Sequence, residues 1–400
     1  MKIYTGKGYI SLWVLLGIWS VSALTSLPGL AVSPILGDLS TIFKHATEFD
    51  IQMLTSLPSL LIIPFILLAG KLSDKVGMIP LLHWGLWLFL LCGVLYFFCE
   101  TITELIVVSA LLGVGAGIIT PLSTALVSRF FVGEQRTKQF GYSSAINNLA
   151  LVVATAVTGY LADVQWRLPF LVYLLPAVSL LLVSPVAAAE KAGPAVADEP
   201  KKGVDLSQGG IDYSRLAGYM LYYFLITFMV MVVSVNLPFL MSEAGHDSGV
   251  AGLVISLFFL CIMLPGFFIN GIISFLGKCV AEVSLLAIVC GLAIVFFNSS
   301  IAAIVCGVVI AGVGYGVAQP FVYDRTASVA SAGKVTFALA LVMTMNYVAV
   351  VACPPVVDSV QSMAGSKSAS FAFGLNAAIG LAAFVVLMLR WLFVKYRYNG

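Results

Sequence analysis

The chain is 400 residues long, with 61% hydrophobic and only 10% charged residues. A soluble protein of this length needs far more polar surface, which excludes a water-soluble fold and leaves no room for a soluble catalytic domain. Twenty Lys and Arg against eighteen Asp and Glu give a formal charge of +2, which says nothing useful about partners; no nucleic-acid partner is expected.

Apolar runs, mostly of 20 residues or more, follow one another along the chain and are long enough to cross a hydrocarbon core of about 30 Å. In chain order the expected spans lie near residues 9–38, 49–73, 79–98, 103–130, 139–162, 167–189, 213–241, 248–275, 279–297, 300–324, 334–358 and 369–394. Runs of this length satisfy their backbone groups in lipid as helices. The first is too long for a signal peptide and leads straight into further spans, so no cleavable leader is expected. With the N-terminus placed in the cytoplasm, only Lys44, Arg167 and Lys367 of the twenty Lys and Arg fall outside, an asymmetry that supports both the number of spans and their direction.

Residues 190–212, EKAGPAVADEPKKGVDLSQGGID, are polar, rich in Gly and Pro and carry both signs of charge. They read as a cytoplasmic linker. The expected domains are therefore an N-terminal six-helix bundle at 1–189, the linker at 190–212, and a C-terminal six-helix bundle at 213–400. The two halves echo each other. Residues 57–77, LPSLLIIPFILLAGKLSDKVG, return in altered form at 257–277, and GVGAGIITP at 113–121 matches GVGYGVAQP at 312–320. The fold class that follows is an all-α membrane protein with twelve transmembrane helices in two pseudo-symmetric bundles. Duplicated bundles meeting at a shared central site are a common build for secondary transporters.

The seven cysteines form no CxxC pair and have no histidine at metal-ligand spacing. They read as small apolar packing residues, so neither a metal nor a cofactor is expected. Asn298-Ser299-Ser300 forms a glycosylation sequon in a loop too short to be reached, a chance match.

GKLSDKVG at 70–77 resembles the loop signature of the major facilitator superfamily: Gly, a short stretch, Asp, a basic residue, Gly. GEQRTKQFG at 133–141 resembles that family's loop between spans four and five. WRLPF at 166–170 resembles the start of span six in its drug-exporter branch. The chain also departs from the pattern. Met78, Ile79 and Pro80 stand where basic residues usually follow the signature, and Ser109 where the exporter branch often carries an Arg. Ala154-Thr155 and Thr158-Gly159 replace a Gly-Pro and a Gly-Gly pair in span five.

The resemblance implies the twelve-helix facilitator fold and a cytoplasmic gate. In the gate Asp74, flanked by Gly70 and Gly77, meets a basic residue at the end of span four, matched here by Arg129, and the start of span eleven. The C-terminal repeat keeps Gly271 and Gly277 but has Phe275 in place of the acid, so the gate is one-sided. The paired GxxxG faces, Gly113/Gly117 and Gly312/Gly316, suit close helix packing. Thr120 and Gln319, just ahead of Pro121 and Pro320, are candidates for the central cavity, because a proline frees a backbone carbonyl and allows a bend.

Intramembrane amides need a partner on another helix or on substrate. This makes Asn147, Asn148, Asn236 and Asn346 candidate site residues, with Asn270 another amide inside a span. Trp19, Tyr222, Tyr223, Tyr315 and Tyr323 lie on helices that line the cavity in the family, and an aromatic cavity with a few polar groups suits an amphipathic or neutral organic ligand. No Asp, Glu, Lys or Arg sits near the middle of any span, which argues against a strongly anionic substrate held by a midplane Arg. If protons are coupled, the candidates are Asp38 at the outer end of span one, Asp324 at the inner end of span ten beside Arg325, and His83, the side-chain type that titrates nearest neutral pH.

The expected function is secondary active transport by alternating access, exporting small amphipathic or neutral compounds, with protons as a candidate exchange ion. Uptake or facilitated diffusion of a neutral metabolite is the alternative. A membrane enzyme would need a nucleophile–base pair or metal ligands facing a cavity, and of the three histidines two lie in outer loops. The expected partners are the lipid bilayer and a small-molecule substrate, the expected state is a monomer, and the expected location is a bacterial inner membrane with both termini in the cytoplasm.

Overall fold

The computed structural model describes residues 2–31, 39, 42–43, 48–191, 210–244, 248–366 and 368–399. Its principal helices among these are α1 Leu12–Leu24, α2 Glu48–Val76, α3 Met78–Leu95, α4 Ile102–Phe130, α5 Gly133–Val164, α6 Pro176–Lys191, α7 Tyr213–Glu243, α8 Ser248–Leu276, α9 Val280–Phe297, α10 Ile301–Ser328, α11 Val335–Met363 and α12 Ser370–Asn399. Among the described residues ten helices are long and apolar enough to cross a membrane, and Leu12–Leu24 and Ser370–Val386 are shorter apolar helices.

The first span differs from the single helix expected over 9–38. Strands β1 Lys2–Tyr4 and β2 Tyr9–Ser11 form an antiparallel hairpin. The Ser11 hydroxyl then caps α1 by accepting from the Val14 N–H at 3.4 Å. The helix stops at Leu24, where the Thr25 hydroxyl turns back onto the Ser22 carbonyl at 2.9 Å. A helical turn, Leu27–Leu30, restarts beyond it with Pro28 in its opening positions, where the missing N–H costs nothing. Residues 32–38, with Asp38 among them, lie outside the described residues.

The sixth span likewise opens on a 3₁₀ segment, Leu168–Leu174, before α6. Pro169 starts it, and the Tyr96 ring stacks on Phe170 (4.4 Å between centroids) and Tyr173 (5.3 Å). α4 has a complete capping box. Thr101 Oγ1 accepts from the Glu104 N–H while the Glu104 carboxylate accepts from the N–H groups of Glu100 and Thr101.

The chain divides into two compact units: Met1–Met220 with Tyr323–Tyr347, and Leu221–Val322 with Val348–Gly400. In the first, α4 lies directly on α2. A Cβ on Gly117 would sit 2.7 Å from the Phe65 Cβ and 2.9 Å from the Ile62 carbonyl oxygen, so only glycine allows this approach. In the second, α10 lies on α8 in the same way, with Gly316 against the Ile262 backbone and Gly312 against Phe258. The sequence echo between the halves is thus also an echo in packing: the contacting positions 62 and 262, and 117 and 316, are the duplicated ones.

Candidate functional site

In the first unit the interruption of α1 gathers polar side chains inside the membrane-spanning part. Asn147, about 21 Å along α5 from its first residue at 1.5 Å per residue, reaches across to the break. Its Oδ1 accepts from Thr25 Oγ1 at 2.9 Å, and its Nδ2 donates to Ser26 Oγ at 2.7 Å. One turn earlier Ser22 and Ser123 share a hydrogen bond of 3.0 Å. The Trp19 indole N–H donates to Gln139 Oε1 at 3.0 Å, with the ring edge-on to Tyr142. The Tyr347 hydroxyl donates to the Thr25 carbonyl at 3.4 Å, just past the end of α1. The groups that exchange these hydrogen bonds are uncharged, and Lys138 Nζ lies 5.5 Å from the centre of the Tyr142 ring at the edge of the cluster.

Towards the ends of the helices this set passes into ion pairs. Arg136 Nε meets Asp324 Oδ1 at 2.9 Å, with side-chain exposures of only 16% and 17%. The Phe140 and Tyr323 rings pack beside them at 5.9 Å. Asp74, at the end of α2, receives Lys334 Nζ at 3.2 Å, with 47% exposure on the lysine and 26% on the aspartate. Gly70 lets α2 approach α11, since a Cβ there would lie 2.6 Å from that of Ala340. Gly77 takes φ +93°, closing the turn into α3. Arg129 pairs instead with Glu190, at 3.8 Å.

These pairs are not equal. Exposed pairs are worth about 0–1 kcal/mol, which covers Arg129–Glu190 and much of Lys334–Asp74. Breaking a buried pair costs roughly 3–5 kcal/mol when the remaining charge cannot rehydrate, and Arg136–Asp324 is the pair nearest that limit.

The second unit brings together its own candidates. Gln319 Nε2 donates to the Tyr223 hydroxyl at 3.0 Å, Tyr315 and Thr227 share a bond of 3.2 Å, and the Tyr222 hydroxyl donates to the Ala281 carbonyl at 2.9 Å. Asn236 is buried in α7.

Other candidates are turned back on their own helices. Thr120 donates to the Ala116 carbonyl, Asn148 to that of Ser144, and His83 Nδ1 lies 2.9 Å from that of Ile79. Asn346 is half-buried in α11.

The sequence reading did not single out Gln139, Thr25, Arg136, Lys334 or Tyr347. Arg136 did carry a signal, because it sits inside the loop motif at 133–141. Lys334 also carried one, as the only cation at the start of span eleven.

A family model described as Major Facilitator Superfamily matches residues 14–354. The chain belongs to this superfamily. This superfamily is made up of membrane transporters rather than enzymes. It is 32% identical over 147 residues to the multidrug transporter protein MdtP of Bacillus subtilis, covering 36% of this chain and 26% of that protein. It is 30% identical over 127 residues to the quinolone resistance protein NorA of Staphylococcus aureus, covering 31% and 32%. The similarity thus spans about a third or less of these relatives' lengths.

Among solved structures, the human organic anion transporter MFSD10 matches with a TM-score of 0.69 at 20% identity, covering 94% of this chain and 97% of that one. The proton:xylose symporter XylE matches with a TM-score of 0.73 at 13% identity, covering 94% of each. At these identities the likeness is one of fold.

Proposed function

We propose that the protein is a secondary active transporter that exports small amphipathic or neutral organic compounds by alternating access, with protons as the exchanged ion. The observation that carries the reading is the uncharged polar cluster at the α1 break, where Trp19, Thr25, Ser26, Gln139 and Asn147 offer hydrogen bonds beside an aromatic ring. Such a surface suits a neutral or amphipathic ligand, with Lys138 Nζ, 5.5 Å from the centre of the Tyr142 ring, at its edge. The names of MdtP and NorA support export as the direction.

In this reading residues 1–189 and 213–400 act as two six-helix bundles, and a monomer works in a bacterial inner membrane with both termini cytoplasmic. The Asp74–Lys334 and Arg136–Asp324 pairs form the cytoplasmic latch, and they must part for the site to open inward. Asp324 is the favoured proton carrier among Asp38, His83 and itself, because neutralising its carboxylate would release Arg136.

The test is uptake of a panel of fluorescent amphipathic compounds into inverted vesicles, with and without an imposed pH gradient, comparing the parent with Asp324→Asn. The reading predicts accumulation by the parent against the substrate gradient and loss of its pH response in the variant. Equal accumulation by both at every pH removes Asp324 as the carrier. A parent that only equilibrates substrate, with no response to pH, is a facilitator.

A further inference from the structure

We propose that the N-terminal β-hairpin is a positioning element for transport, acting through Val132 on Arg136 and its pair with Asp324. The inference rests on the alternating-access reading above.

A two-stranded hairpin is marginal in water on its own, so this one must draw its order from what it docks on. Its strands pair in the register Lys2↔Ser11, Ile3↔Ile10 and Tyr4↔Tyr9. The turn is closed by the Thr5 N–H donating to the Gly8 carbonyl at 2.9 Å and by contacts of the Thr5 hydroxyl with Gly8. Thr5 is fully buried, and Ile10 nearly so.

The tip is anchored at one residue. The Val132 N–H donates to the Thr5 carbonyl at 3.0 Å. Gly6 adopts φ +101°, and a Cβ there would lie 2.7 Å from both the carbonyl oxygen and a side-chain methyl of Val132. No residue but glycine fits without moving Val132.

Val132 is the N-cap of α5, and its carbonyl accepts from the Arg136 N–H at 3.4 Å. The hairpin therefore holds one side of the residue whose other side starts the helical turn bearing Arg136. A salt bridge of 2.9 Å is sensitive to displacements of a few tenths of an ångström in that turn. Loosening the tip should weaken the latch without touching either charged group.

The experiment uses the full chain in a cysteine-free background with spin labels at Val76→Cys and Phe275→Cys, both exposed positions. It reads the populations of short and long distances together with transport. Gly6→Ala should shift the population ratio toward the long distance by about five-fold, the lower end for coupled sites. In an Asp324→Asn background, where no pair remains to be positioned, the same substitution should produce no further shift.

An equal shift in both backgrounds, or none in either, overturns the proposal. If Gly6→Ala does not yield folded protein, Thr5→Val, which removes only the turn's hydroxyl contacts, is read by the same criterion. A parent with a single distance population and no transport overturns alternating access and this inference together. A two-population, transporting parent that is insensitive to the tip overturns the hairpin's role alone.

Discussion

The Arg136–Asp324 pair should be the strongest single contributor to holding the cytoplasmic latch shut, and a double-mutant cycle of Arg136→Gln and Asp324→Asn measures it. At an effective dielectric of about 20, unit charges about 3 Å apart attract by roughly 5–6 kcal/mol. Both side chains are more than four-fifths buried, so desolvation cancels several kcal/mol of this. What remains is near the roughly 1.5–3 kcal/mol of a hydrogen bond to a charged group. Each single variant leaves a charge with little water, so each should shift the latch by a similar amount. The double variant should cost much less than the sum of the two.

The interaction energy should come to about 1.5–3 kcal/mol, or roughly ten- to 150-fold in the ratio of closed to open forms. Distance distributions between labels at positions 76 and 275 give that ratio. If the two substitutions add to within about 0.5 kcal/mol, the groups do not interact in the working protein and the latch must be sought elsewhere. The same cycle on Asp74 and Lys334, which are 26% and 47% exposed, should return no more than about 1 kcal/mol.

Three further outcomes are expected. Asn147→Ala removes the amide partner of the half-buried Ser26 hydroxyl and one of the two partners of Thr25, at about 0.5–1.5 kcal/mol for each hydrogen bond lost; a lowered melting temperature in detergent and weaker substrate binding should both follow, and an unchanged melting curve would mean that water replaces the amide freely. Alkylation by a maleimide in detergent should be fast at exposed Cys279 and slow at Cys99, where burial pushes the thiol's pKa up, followed by the charge of Glu104; equal rates would contradict the packing around Cys99. In a cysteine-free background, Ser207→Cys should resist an impermeant reagent in intact cells while His246→Cys reacts, and the reverse pattern would invert the topology.

Much of the fold could be read from local signals. The spans and the duplication each rest on runs and spacings that the chain carries on its face. The β-hairpin was hidden because its strands are only three residues long and lie directly ahead of an apolar run that dominates any hydropathy pattern. The break in α1 did have a marker, since Thr25, Ser26 and Pro28 together make a stop-and-restart signal, but the apolar residues on both sides outweighed it.

The charged residues at the helix ends posed another kind of problem. Asp74 and Asp324 stood out as acids at helix ends, but which cation meets each is decided by contacts spanning 260 and 188 residues, a separation at which sequence spacing carries no information. Local adjacency suggested Arg325 for Asp324, and the loop signature suggested Arg129 and the start of span eleven for Asp74. The geometry gives Arg136 to Asp324, and to Asp74 it gives Lys334, at the start of span eleven, in place of Arg129.

The seam between α2 and α4 has a twin between α8 and α10, and the two have drifted apart in an instructive way. Both keep the glycines that bring backbones together, while only the first keeps an acid at the helix end; its counterpart, Phe275, is a ring open to the surroundings. Close packing along the seam and charge at the helix end are therefore separable features of the repeat, and Gly271, unlike Gly70, meets no neighbour within 4 Å. One repeat has preserved the scaffold alone, and it serves as a natural control, within the same polypeptide, for what the carboxylate adds to the other.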